Sequence, residues 1–185
     1  MMTLKRRLMY GVRLGLFVAL VFVVLIWIFG AYAGYRGVDE ILHPTRNVFC
    51  CETPQDMGID YEDVTLETAD GLTIKGWYLA PDRDAVITMA HGASGNRVSL
   101  MPLAHRLIEQ GYGVVLLDLQ THGESEGTIF TQGWLDIRAA AGYLHNRGVE
   151  KIGVYGFSLG ANMVIHEAAE SDMIDAVIAD GPSPA

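Results

Sequence analysis

From residue 14 to residue 35 the chain reads LGLFVALVFVVLIWIFGAYAGY, 22 residues without a charge. In hydrocarbon a single segment can satisfy its own backbone only as a helix, and about 20 residues at 1.5 Å each cross the apolar core. Lys5, Arg6, Arg7 and Arg13 precede the run and the mixed RGVDE follows it. That asymmetry predicts a cytoplasmic N-terminus with the remainder outside the cell membrane. Trp27, Tyr32 and Tyr35 cluster toward the far end, where amphipathic rings suit the interface. Ala31-Tyr32-Ala33 also fits the small-x-small pattern of a cleavage site, so an exported domain released near Ala33 is the alternative to a retained anchor.

The rest of the chain has a different character. The four basic residues before the apolar run are part of 13 in all, so the remainder carries nine against 22 acidic residues, a net charge of −13. Such a body is repelled by nucleic acid and by anionic lipid surfaces, which excludes both as partners of the domain; the bilayer is met only through residues 14–35. A chain of 185 residues, half of them apolar, is enough for one domain with a sizeable core. Cys50 and Cys51 are adjacent, which strains a disulfide between them, and neither stands in a C-x-x-C spacing. They read as two inert thiols, with an intermolecular bridge or acylation near the membrane as alternatives.

Residues 36–60 lack sustained periodicity, carry Pro44 and Pro54, and read as a segment connecting the anchor (14–35, after a basic terminus of 1–13) to a domain over 61–185. Two β-rich runs, 62–68 and 72–79, joined at Asp70-Gly71, predict an antiparallel hairpin. Thereafter strands and helices alternate. Strands are expected at 85–90, 113–119, 151–155 and 175–180, and helices at 97–110, 131–148 and 159–170, the first two helices closing on glycine. A hairpin followed by this alternation implies an α/β fold with a mainly parallel sheet and helices on both faces.

Within that frame GFSLG, residues 156–160, stands between a strand and a helix. G-x-S-x-G alone is a weak match, but strand–turn–helix is the context a nucleophile elbow requires. Gly156 and Gly160 suit a turn so tight that a side chain would crowd the neighbouring strand or helix. The Ser158 hydroxyl would then stand clear of the sheet beside the positive end of the next helix. His91-Gly92-Ala93 follows the strand 85–90, on a loop expected to pass over the elbow. The backbone N–H groups of Ala93 and Leu159 are placed to form an oxyanion hole, with His91 shaping the loop. A second polar loop, DLQTHGESEG at 118–127, follows the next strand.

The blocks DGLTIKGWYLAP, HGASGNR, GYGVVLLDLQTHGES and GVYGFSLGANMVI, in this order and spacing, resemble the α/β-hydrolase superfamily. More narrowly they are similar to bacterial membrane-anchored, serine-aminopeptidase-like hydrolases, over about residues 40–185. One departure is Gln120-Thr121, where that family usually has Arg-Gly. The resemblance implies that Ser158 attacks an acyl carbon of a small-molecule or peptide substrate to give an acyl-enzyme. Leu159 and Ala93 would donate to the oxyanion, and no metal or organic cofactor is implied.

The resemblance also implies partners in the order Ser, acid, His. The histidines are His43, His91, His105, His122, His145 and His166, and only His166 follows Ser158. Eight residues on in the same helix, it lies about 12 Å up the axis, beyond reach of the hydroxyl. His105 and His145 fall within helices; His122 is nearer by loop geometry but is not the expected base. Asp180 ends the sixth expected strand, where a few relatives place the acid, yet the commoner place follows a seventh strand. The reading is therefore the N-terminal part of an incomplete α/β-hydrolase fold, inactive by itself. A non-catalytic anchored binding or scaffold protein and an acyltransferase with the same site are the alternatives.

Overall fold

The computed structural model describes residues 4–47 and 52–182; Cys50 and Cys51 lie outside the described residues. The chain divides into two compact units, Met1–Glu40 and Ile41–Ala185. Helix α1, Leu4–Leu42, makes up the described part of the first. Its stretch Met9–Leu42 reaches a mean hydropathy of 2.8 and is long and apolar enough to cross a membrane, as a single-pass anchor or as a signal sequence. Large apolar side chains such as Trp27 and Phe29 are exposed on it, at 76% and 73%. The helix runs seven residues past Tyr35, into the part of the sequence expected to be irregular. Nothing in RGVDEIL breaks a helix, and α1 stops at Leu42, two residues before Pro44.

The second unit is built on a six-stranded sheet. Strands β1 (Glu62–Glu67) and β2 (Thr73–Leu79) form the antiparallel hairpin, with Glu62 opposite Tyr78 and Glu67 opposite Thr73. The turn is closed by Gly71 N–H donating to the Thr68 carbonyl at 2.9 Å and Thr68 N–H to the Leu72 carbonyl at 3.0 Å. Strands β3 (Ala85–Ala90), β4 (Gly113–Leu117), β5 (Lys151–Phe157) and β6 (Ala176–Asp180) follow in the order β1-β2-β4-β3-β5-β6. β2 meets β4 antiparallel, and β4, β3, β5 and β6 are mutually parallel. The sheet is thus parallel apart from its hairpin edge, as the alternating pattern implies.

Helices cover both faces. β4 shows how period 2 divides the core. Val114 and Leu116 join Trp77, Leu79 and Met89 under helix α2, Met101–Glu109. Val115 and Leu117 join Ile74, Val86 and Val154 on the opposite face. That face is covered by α3, Trp134–Asn146, and α4, Leu159–Glu170, through Ile137, Ala141, Leu144 and Val164.

Boundaries differ from the expected ones where backbone chemistry overrides periodicity. The segment from Arg97 begins as a 3-10 turn, Arg97–Leu100, and becomes α-helical only at Met101 because Pro102 is tolerated solely in a first turn. β4 ends at Leu117 rather than 119, since Asp118 N–H turns to the Lys75 carbonyl at 2.9 Å. α3 starts three residues late, at Trp134, where Phe130 dips into the core beneath Gly133.

Leu144 is fully buried where α3 meets the sheet. Leu144→Ala is expected to lower unfolding stability by about 2–5 kcal/mol, read as a shifted urea midpoint with an unchanged slope.

Candidate active site

β5 runs to Phe157 and α4 begins at Leu159, so Ser158 alone makes the turn. Its φ of 50° and ψ of −107° lie in a region costing a non-glycine residue on the order of 1–3 kcal/mol. The surroundings hold it there. Ser158 N–H donates to the Asp180 carbonyl at the end of β6, at 2.8 Å, and its side chain does not cap the helix. A Cβ on Gly156 would collide with the Gly160 carbonyl, and one on Gly160 with the Ala90 carbonyl. Both glycines are therefore required by contact of backbone on backbone.

The loop leaving β3 does pass over this turn. A Cβ on Gly92 would stand 3.0 Å from the Phe157 ring and 3.4 Å from Ser158 Cβ. Gly160 N–H donates to the His91 carbonyl at 3.2 Å, which ties the first turn of α4 to the loop. His91 is wholly buried. Its Nε2 accepts from Leu119 N–H at 3.1 Å, so Nδ1 carries the proton and donates to the Gly92 carbonyl at 2.7 Å. Burial pushes its pKa down to about 3. It is a neutral brace for the loop, with both ring nitrogens occupied.

Behind the loops lies a polar layer that the sequence pattern did not single out. Asp118 accepts Arg97 N–H at 2.7 Å, Arg97 Nε at 3.1 Å and Glu124 N–H at 2.9 Å. Arg97 also pairs with Glu124 and lies over the Trp77 ring, 4.9 Å from its centre. Ser125 Oγ donates to the Asp118 carbonyl at 2.6 Å and accepts Lys75 N–H at 2.8 Å, stitching the β4 loop to the hairpin. The available signal was an arginine directly after HGASGN and an aspartate directly after five apolar strand residues.

Gln120 and Thr121 show what the sequence departure does locally. Gln120 N–H donates to Asp136 Oδ2 at 2.7 Å, while Gln120 Nε2 and Asp136 Oδ1 have no hydrogen-bond partner among the described residues. Thr121 holds a φ of 68° that suits glycine better than a β-branched residue. Burial pushes the Asp136 pKa up to about 8.

Three of the other histidines have contacts elsewhere. His122 is buried, with Nδ1 3.0 Å from the Gln120 carbonyl and its ring edge-on to His91 and Phe130. Burial lowers its pKa. His166 stacks on Trp134 at 4.3 Å, and His105 lies 4.0 Å from Glu109 on α2. Asp180 Oδ2 accepts the Tyr155 hydroxyl at 3.0 Å.

Residues 81–184 match the family described as serine aminopeptidase, S33. The chain belongs to this α/β-hydrolase family. In solved structures its fold is similar to an esterase of Pyrococcus furiosus, Pf2001. The TM-score is 0.72 at 30% identity, covering 77% of this chain and 57% of that one. In sequence it is 29% identical over 160 residues to the uncharacterized protein YfhR of Salmonella typhimurium, covering 81% of this chain and 52% of the relative. It is 31% identical over 132 residues to the polyketide transferase ATR5 of Stachybotrys chlorohalonatus, covering 66% and 44%. The chain spans about half the length of the curated relatives it matches. Hydrolase membership and the α/β-hydrolase fold thus agree with the resemblance read from the sequence blocks.

Asp136 makes the domain pH-sensitive in a definite direction. An unfolded aspartate titrates near pH 4, so between about pH 4 and pH 8 the native state keeps a proton that the unfolded state has lost. The stability this carboxyl contributes is complete below about pH 4 and is lost as the pH rises through about 8. Urea unfolding from pH 5 to 8 is expected to show stability falling by up to about 1.4 kcal/mol per pH unit, and Asp136→Asn to flatten that slope.

Proposed function

We propose that the protein is a serine hydrolase that cleaves an ester, thioester or amide through an acyl-serine intermediate. The observation that carries this reading is the backbone of Ser158, held at φ 50° between two glycines with the β3 loop packed on it. Strain of this kind persists only where the surroundings over-determine it, and it gathers at reactive positions. Ser158 Oγ attacks the acyl carbon and the carbonyl oxygen becomes an oxyanion. The Ala93 and Leu159 N–H groups, neither of which donates to an acceptor among the described residues, receive that charge. The leaving group departs, and water then releases the acyl group.

Serine at its own pKa is a weak nucleophile, so a histidine base and an orienting carboxylate are needed. His91, His105, His122, His166 and Asp180 make the contacts given above, and the reading gives neither the base nor the acid to any of them. Residues 14–35 of α1 anchor the protein in the cell membrane with the N-terminus cytoplasmic and the hydrolase domain outside; export with cleavage near Ala33 is the alternative. The substrate is a small-molecule or peptide acyl compound. An esterase among the structural neighbours supports hydrolysis. Polyketide transferases among the relatives support a second reading, in which an acceptor other than water takes the acyl group.

In the complete gene product a fluorophosphonate probe is expected to label Ser158, and Ser158→Ala to abolish labelling and lower ester turnover by at least about 10³-fold. Labelling that survives Ser158→Ala would remove the nucleophile assignment. An absence of both labelling and turnover in the unaltered protein would favour a non-catalytic anchored scaffold. Product analysis with water and with alcohol or amine acceptors separates hydrolase from transferase.

A further inference from the structure

Residues 42–47 lie outside the stretch matched by the family, yet they are bonded to the β3 loop that packs on Ser158 and to the loop that follows β4. The Leu42 carbonyl accepts Phe130 N–H at 2.9 Å. Arg46 donates from its two terminal nitrogens to the Ser125 and Gly127 carbonyls, each at 2.7 Å, and so grips the loop that follows β4. Asn47 takes the other loop: its Nδ2 donates to the Ser94 carbonyl at 2.7 Å, and its own carbonyl accepts Asn96 Nδ2 at 3.0 Å. A single short segment therefore bridges the loops leaving β3 and β4.

Ser94 is the point where this bracing matters. It holds a φ of 59°, a conformation a non-glycine residue seldom keeps without external support. Ala93 is flanked by Gly92, packed on Phe157 and Ser158, and by Ser94, whose carbonyl Asn47 fixes. The direction of the Ala93 N–H depends on both neighbours. Arg46 acts on the second loop, where its charge also disfavours protonation of His122.

We propose that Arg46 and Asn47 are positioning residues that hold the β3 and β4 loops, and with them the Ala93 N–H, in the geometry Ser158 requires. The inference rests on the Ser158 reading, and its test keeps the two separable.

The test uses the complete protein, anchor included, in detergent micelles, with p-nitrophenyl butyrate as substrate and amide hydrogen exchange as a second readout. Asn47→Asp keeps the size of the side chain but cannot donate to the Ser94 carbonyl. It is expected to lower kcat about 10-fold with KM changed less than about twofold, since small errors in placement act on the transition state. Exchange at residues 92–96 should quicken about 10-fold or more while the β1–β2 hairpin stays protected. Arg46→Ala should lower kcat in the same way and loosen residues 125–130. The proposal is overturned if both variants keep wild-type kcat while Ser158→Ala is inactive, or if exchange in the two loops does not change. It is equally overturned if exchange rises across the whole domain, which would make the segment a general stabiliser. If Ser158→Ala is as active as wild type, the nucleophile reading fails and loop exchange alone decides the bracing.

Discussion

The domain is organised around a place where three backbones touch. Gly160 brings the first turn of α4 against the Ala90 carbonyl at the end of β3, and Gly156 lets the end of β5 slide under the same turn. No side chain separates them, so the positions of β3, β5 and α4 are set to within the width of a methyl group. Ser158 takes its strained backbone from that closeness. Its N–H is received by the end of β6 and the Gly160 N–H by the β3 loop. Every element that reaches the candidate site is thus referenced to one contact.

A second layer keeps the loops from collapsing into the space above it. His91, neutral and buried, links the β3 loop to the start of the β4 loop, and the Arg97–Asp118 pair joins the same two loops a second time. Buried charges this close are tolerable because Asp118 is supplied with backbone and side-chain donors from three directions. The layer is less well satisfied around Gln120, where a buried amide and a buried carboxyl each leave an atom without a partner among the described residues. An arginine there could pair with Asp136; glutamine cannot remove the need for a proton.

Most of the architecture was legible in the sequence because it is written in periodicity and punctuation. The 62–68 and 72–79 runs gave the hairpin through Asp70-Gly71, and the alternation after Pro81 gave the parallel sheet. The GFSLG elbow fell on its strand–turn–helix as expected. What was hidden was hidden for physical reasons. The 3-10 opening at Arg97 follows from where one proline can sit, not from any apolar spacing. The Arg97–Asp118 pairing joins residues 21 apart that no local pattern connects. Residues 42–47 carry no periodicity at all, and their bonds run to carbonyl groups, which every residue possesses and no sequence advertises.

The bracing segment has a bearing on processing. It begins nine residues after Ala33, so a peptidase cutting there would remove most of α1 and leave Arg46 and Asn47 on the domain with their bonds to both loops. A trimmed, diffusing form and a tethered form would then carry the same braced loops. The cut would change where the protein works without changing the tool it carries.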